Sequence, residues 1–247
     1  MKTSLAINGA AGRMGQRLVA LAAEDPGLHV VAAIDRVASP GIVTELPLSV
    51  TPQCVIDFSS PDGTMAILKT CVARKLPLVI ATTGLEHEHK AEIATAAHLI
   101  PVLLSPSMSL VVNLLFKLTK LTSEVLAGKG FDVEIVERHH RHKKDSPSGT
   151  AVQFAKIVQE AMKQTKLLHG REGLVGERTP DEIGMHAIRG GDSVGEHTII
   201  FAAPGETLEL VHKGSSRDSY ARGALLAAKF LAGQGAGTYT MADVLGL

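Results

Sequence analysis

The run Glu137-Arg138-His139-His140-Arg141-His142-Lys143-Lys144-Asp145-Ser146-Pro147-Ser148-Gly149-Thr150 holds three histidines and four lysines or arginines. Imidazoles exchange protons near neutral pH, and clustered cations raise the local potential for an anion. Ser148-Gly149-Thr150 reads as the start of a helix, whose N–H groups and partial positive charge can hold a carboxylate or phosphate. The chemistry indicated is acid–base work on an anionic molecule. An apolar-alternating strand from Asp132 to Val136 feeds the run, so it lies at a strand end, followed by a helix over about 149–163.

A second stretch, Gly9-Ala10-Ala11-Gly12-Arg13-Met14-Gly15, joins a short buried strand at 3–8 to a helical pattern of Met14, Leu18, Leu21 and Ala22. A strand at 28–34 follows and ends in Asp35-Arg36, with Asp35 twenty residues after Gly15. Strand, glycine turn, helix, strand and acid in this order make up a dinucleotide site. The turn lets the backbone approach a pyrophosphate, and the acid meets a ribose hydroxyl. The glycines fall at 9, 12 and 15, so Ala10 stands where the usual G-x-G-x-x-G has its second glycine. Asp35 favours the free 2′-hydroxyl of NAD, whereas Arg36 can pair with the 2′-phosphate of NADP; both cofactors stay open.

The elements that must position these residues alternate. Strands are expected at 53–58, 78–81 and 101–104, with helices over about 62–74, 86–98 and 111–126, and a loop over 37–52. This order predicts an α/β, doubly wound parallel sheet, in which ligands bind at the carboxyl ends of strands. The loops 9–15, 35–36, 58–60, 81–84 and 105–109 then form a cofactor wall. After Gly128-Lys129-Gly130 the pattern changes to an α+β module with an open mixed sheet. Its strands are expected at 132–138, 184–188, 195–201 and 207–213, the last two an antiparallel pair across Ala203-Pro204-Gly205-Glu206, with a polar loop over 164–184. Helices over 219–232 and 241–245 close the chain. The expected division is a dinucleotide-binding domain at 1–109, completed by 219–247, and a substrate-binding domain at 110–218.

The bulk properties exclude several classes. The 247 residues carry 25 basic and 25 acidic side chains, and aromatic residues make up 3%, so neither a polycation nor base-stacking platforms point to nucleic acid. No stretch approaches a membrane span, and no signal peptide opens the chain. Cys54 and Cys71 sit in apolar surroundings, as reduced thiols of a cytoplasmic protein do, and no Cys/His spacing suggests a metal. Non-enzyme rivals are a nucleotide sensor and a nucleic-acid binder through 138–144; an enzyme rival is a dehydrogenase of another amino-dicarboxylate.

Several motifs together are similar to those of the 4-hydroxy-tetrahydrodipicolinate reductase (dihydrodipicolinate reductase) family. They are Gly9-x-x-Gly12-Arg13-Met14-Gly15, Asp57-Phe58-Ser59, Thr82-Thr83-Gly84, the Glu137-to-Thr150 run, Gly195-Glu196-His197-Thr198 and His212-Lys213-x-x-Ser216-Arg217. The resemblance spans essentially the whole chain. It implies a Rossmann-like first domain, NADPH or NADH as cofactor, a small cyclic dicarboxylate substrate, a role in diaminopimelate and lysine biosynthesis, and a homotetramer built through the second domain's sheet. It also implies that Lys143 is the proton donor, that His139 has a second acid–base role, and that His140, Ser148, Gly149, Thr150 and Thr83 bind substrate. Cofactor contacts are implied for Gly9, Gly12, Arg13, Met14, Gly15, Asp35, Arg36, Ala81, Thr82, Thr83, Ser105, Pro106, Ser107 and Met108. Crowding of Lys143 by cations and partial dehydration would suit it to give up a proton. Two departures stand out: Ala81 where the family usually has glycine, and Ser105-Pro106-Ser107-Met108-Ser109 where it often has Ala-x-Asn-Phe-Ser.

Overall fold

The computed structural model describes residues 2–247 and divides into two units, Met1–Leu110 with Arg217–Leu247, and Val111–Ser216. Unit 1 begins β1 (Thr3–Asn8), α1 (Arg13–Glu24), β2 (Leu28–Ile34), β3 (Cys54–Asp57), α2 (Pro61–Arg74), β4 (Leu78–Ile80), α3 (His87–Ala96) and β5 (Pro101–Leu104). Then α4 (Leu110–Leu126) leads into unit 2, with β6 (Asp132–His139), α5 (Gly149–Met162), β7 (Lys166–His169), β8 (Glu182–Arg189), β9 (Gly195–Ala203) and β10 (Glu206–Gly214). The chain ends in unit 1 with α6 (Asp218–Leu231), β11 (Gly237–Tyr239) and α7 (Met241–Leu245).

The unit 1 sheet has the order β11-β5-β4-β3-β1-β2 and is parallel throughout. Its strands are apolar on both parities because both faces are covered. Leu5, Ile7, Cys54, Ile56, Val79 and Leu103 pack with α1 and α6 on one face. Ala6, Val55, Leu78, Ile80 and Val102 pack with α2 and α3 on the other. Side chains as fully buried as Leu5 and Ile7 each contribute about 1.5–3 kcal/mol. The chain reverses its direction across the sheet between β1 and β3, so their carboxyl ends form the switch-point crevice in which such sheets bind ligands. The doubly wound sheet and the loop at 37–52 match the sequence expectation, and one strand of the sheet was missed. β11 is three residues long and joins β5 from the far end of the chain, and 37–52 contributes only single bridges, Ile34 to Val43 and Ser39 to Ile42.

The unit 2 sheet has the order β10-β9-β6-β8-β7 and is mixed. β6 pairs in parallel with β8 and antiparallel with β9, and the β9–β10 hairpin turns where Ala203 to Glu206 predicts it. On β6, Val133, Ile135, Glu137 and His139 share the buried parity, and the first two join Phe154, Val158, Ile183, Ile199 and Phe201 in the core beneath α5. The opposite face carries charge. Glu134 accepts from Arg171, Arg178 and His186, which pins the 170–181 connection across the sheet. Gly184 lies against that carboxylate, where an added Cβ would overlap it. The expected polar loop at 164–184 contains β7, which pairs in parallel with β8; its four residues lack a strand-like alternation.

Candidate active site

In unit 1 the glycine turn is built for close backbone approach. Gly9 has φ of +80°, and a Cβ there would overlap the Phe58 carbonyl; one on Gly15 would overlap the Gly9 carbonyl and reach 2.6 Å from Ala10 Cα. Only glycine lets β1, the turn and α1 close up in this way. α1 has no side-chain cap and no acidic residue in its first turn. The N–H groups of Arg13, Met14 and Gly15 therefore have neither an intrahelical acceptor nor a carboxylate beside them, a fit for a phosphate. Asp35 folds back onto the turn: Oδ2 accepts from Ala11 N–H at 2.9 Å and Oδ1 from Arg36 N–H at 2.7 Å. Arg36 is exposed.

The neighbouring strand ends are joined by a carboxylate that sequence reasoning placed in a motif without giving it a role. Asp57, at the end of β3, is fully buried. Its Oδ1 accepts from Asn8 Nδ2 at 2.7 Å and Ser59 Oγ at 2.5 Å, and its Oδ2 from Thr64 Oγ1 at 2.5 Å and Thr82 Oγ1 at 2.7 Å. Thr82 Oγ1 in turn accepts from Ser59 N–H at 3.0 Å. Thr82 is thus spent inside this knot, whereas Thr83 beside it is exposed. Ala81 packs against the core, so its methyl has a partner there. The 105–109 loop is tied to itself: Ser105 Oγ donates to the Ser107 carbonyl at 2.7 Å, and Ser107 Oγ accepts from Ser109 N–H at 3.3 Å. Met108 is 2% exposed and belongs to the core, with its carbonyl against Gly223 of α6. Of the candidates in this loop, Pro106 is exposed.

In unit 2 the basic run leaves β6 and is splinted by the β8–β9 connection. His140 N–H donates to the Ser193 carbonyl at 2.8 Å, Arg141 N–H to the Gly191 carbonyl at 3.2 Å, and Gly190 N–H to the His139 carbonyl at 3.1 Å. His139 is buried, and its Nδ1 lies 2.6 Å from Glu137 Oε2. Lys143, expected to be crowded by cations, instead has an acidic partner, with Nζ 2.8 Å from Asp145 Oδ2. Arg141, His142 and Lys144 are exposed.

α5 starts at Gly149, with Ser148 as its cap; Ser148 Oγ accepts from Ala151 N–H at 3.2 Å. The first turn has no acidic residue, and the N–H groups of Gly149 and Thr150 stand at the open end of the helix. Ser148 Oγ also meets His197 Nε2 at 3.1 Å, and the His197 ring packs edge-on against His139 at 5.4 Å. Burial, reinforced by the nearby His139 and His212, pushes His197 down to about 3, so it is neutral. Burial alone would raise Glu137, but hydrogen bonds from His139 and Arg189, and one from Ser148 N–H, outweigh it and hold the carboxyl down at about 2. Glu137, Arg189 and His197 had no assigned role from sequence. The signals for Glu137 were its place at the head of the 137–150 motif and a charge on the apolar parity of β6, two residues beyond Ile135. Among the described residues no group of three or more His, Cys, Asp or Glu is arranged to hold a metal ion, and no helix is long and apolar enough to cross a membrane.

A parallel sheet with a glycine-lined turn at its switch point, in a chain whose second unit carries paired acid–base groups and an uncharged helix start, defines the class: a two-domain, dinucleotide-dependent oxidoreductase. Residues 3–108 match the family of the dihydrodipicolinate reductase N-terminus and residues 111–245 that of its C-terminus. The 4-hydroxy-tetrahydrodipicolinate reductase of Anaeromyxobacter dehalogenans is 43% identical over 99% of this chain and 98% of its own length. That of Rhodopirellula baltica is 46% identical over 99% and 96%. A solved, dipicolinate-bound dihydrodipicolinate reductase from Paenisporosarcina sp. TG-14 shares the fold, with a TM-score of 0.79 at 23% identity over 98% of this chain and 99% of that one. The chain belongs to the dihydrodipicolinate reductase family.

Proposed function

We infer that this chain reduces 4-hydroxy-tetrahydrodipicolinate to tetrahydrodipicolinate, on the route to diaminopimelate and lysine. One hydride and one proton enter and one water leaves. The observation that carries this reading is the grouping, in a chain of this family, of His139, the Lys143–Asp145 pair and the Ser148-capped start of α5 on one short loop. NADH or NADPH, bound along loops 9–15, 35–36, 81–84 and 105–108, supplies the hydride. Asp35 suits a ribose diol, and the exposed Arg36 suits a 2′-phosphate.

The residues of unit 2 divide the remaining work. The N–H groups of Gly149 and Thr150, with the Thr150 hydroxyl, hold one carboxylate of the substrate, because a helix start without acidic residues favours an anion. Ser148 supports that cradle through its cap to Ala151, and His140 adds a hydrogen bond. As negative charge develops on the conjugated substrate, Lys143 supplies the proton that meets it. His139 assists the departure of the hydroxyl as water. The dipicolinate bound to the Paenisporosarcina relative is a planar ring with two carboxylates, which suits the same reading of the substrate class. The reading includes a cytoplasmic site of action and a homotetramer built through the unit 2 sheet, which sedimentation measures.

The test is the loss of nicotinamide absorbance with substrate generated in place by its upstream synthase. Lys143→Ala is expected to lower kcat by at least ~100-fold, the lower end of general-acid contributions, with a much smaller rise in KM. A change in KM alone makes Lys143 a binding cation. No cofactor oxidation between pH 5 and 9, a range of about four units spanning histidine and lysine chemistry, overturns the assignment.

A further inference from the structure

Glu137 is 1% exposed, a carboxylate at the end of an otherwise apolar row on β6. Both oxygens are fully engaged. Oε1 accepts from Ser148 N–H at 2.9 Å and Arg189 Nη2 at 2.7 Å; Oε2 accepts from Arg189 Nη1 at 2.7 Å and faces His139 Nδ1 at 2.6 Å. Arg189 stands opposite His139 in the β6–β8 register, so its planar fork reaches the carboxylate side by side. Its Nη2 also donates to the Asp145 carbonyl at 2.7 Å, the residue whose side chain pairs with Lys143.

We propose that Glu137, locked by Arg189, is a positioning residue that holds His139 in the Nδ1–H tautomer and so makes Nε2 its proton-handling nitrogen. This rests on the acid–base reading of His139. A carboxylate that is ionised throughout the working range is an acceptor only, so the 2.6 Å contact requires the hydrogen on Nδ1. Nε2 then carries the lone pair in the neutral ring. The ring cannot turn over without giving up that contact, because Oε2 is fixed from the other side by Arg189. Ser148 N–H is bound by the same carboxylate, which ties the start of the α5 cradle to the orientation of the imidazole.

Glu137→Gln isolates the effect, since it keeps size and shape. Arg189 Nη2 and Ser148 N–H retain the oxygen, while the new amide NH2 takes the Oε2 place, where Arg189 Nη1 loses that acceptor and Nδ1 can then serve only as an acceptor. His139 is driven into the Nε2–H tautomer. The expected result is a fall in kcat of ~100-fold or more with KM within about 3-fold, as befits loss of the proton-transfer group's correct form. Nitrogen-15 shifts of the His139 ring report the tautomer directly, a readout that a purely structural ion pair would not move. They are to show Nδ1–H in the wild-type enzyme and Nε2–H in the variant. An Nε2–H tautomer in the wild-type enzyme overturns the proposal without any variant, as does a Glu137→Gln enzyme that keeps both Nδ1–H and kcat. His139→Gln separates the underlying reading: full kcat there removes His139 from the chemistry, whereas a loss in His139→Gln with none in Glu137→Gln removes only the role of Glu137.

Discussion

Asp57→Asn is the sharpest test of how unit 1 holds its cofactor wall. The substitution keeps the shape of a fully buried side chain and exchanges one acceptor oxygen for a donor. Four donors converge on the carboxylate, two on each oxygen. With the amide at the Oδ2 position, the hydroxyls of Thr64 and Thr82 lose that oxygen, and Thr64 keeps the Ser60 carbonyl at 3.0 Å; with the amide at Oδ1, Asn8 and Ser59 lose theirs and keep the longer contacts to the Gly63 and Ser60 carbonyls. Two hydrogen bonds to a charged group at ~1.5–3 kcal/mol each give a loss of about 3–6 kcal/mol. A hydroxyl that rotates to accept from the new amide returns about 1 kcal/mol of it. For a chain of this length each kcal/mol corresponds to about 2–4 °C, so Tm falls by on the order of 10 °C. Calorimetry reads Tm, and titration with NADH reads the second consequence. Asn8 precedes Gly9 and Thr82 lies in the 81–84 loop, so loosening the knot weakens the cofactor site as well. Asp62→Asn, at the exposed first turn of α2, is the control. A loss below about 1 kcal/mol, less than one charged hydrogen bond, refutes the view that this carboxylate joins the strand ends.

Three further outcomes follow from the geometry. Gly15→Ala places a Cβ onto the Gly9 carbonyl, so α1 must move off the turn; NADH affinity measured by calorimetric titration is expected to fall at least ~10-fold, with ~1–3 kcal/mol lost in stability. Asp35→Ala is expected to weaken NADH more than NADPH in the same titration, and equal losses count against a ribose contact. Stability is expected to fall on acidification in two steps. His197 goes from an ordinary 6.5 to about 3 on folding, so its contribution is complete above pH 6.5 and is lost toward pH 3, at up to ~1.4 kcal/mol per pH unit. Glu137, held at about 2 against an ordinary 4.5, adds its loss only below pH 4.5. Urea midpoints between pH 7 and 5 read the first step, which His197→Gln shrinks to the share of His212, also lowered by burial; a flat wild-type profile there overturns it.

Local chemistry was legible along the chain. The turn Gly9 to Gly15, the helix start at Ser148 and the Ala203–Glu206 hairpin depend on neighbours a few residues away, so residue types suffice to specify them. The parallel sheet follows from alternating apolar strands and amphipathic helices. The basic run stood out as a candidate anion site, since its residue types are unusual together. What stayed hidden depends on long-range pairing. β7 and β11 are too short to show a period and exist because β8 and β5 offer them an edge. Met108 is set into the core by α6, more than a hundred residues later, and Lys143 finds Asp145 only once the loop turns.

The sequence by itself determined that His139 and Lys143 stand beside a helix start, because all three lie within twelve residues. Only the tertiary structure decided which nitrogen of His139 is offered to a substrate. That choice rests on Glu137, which alone would be a costly buried charge, and on Arg189, fifty-two residues away, which neutralises and orients it. Charges buried together must satisfy every lone pair they bring inside, and the partners that do so are chosen by the register of two strands, not by distance along the chain.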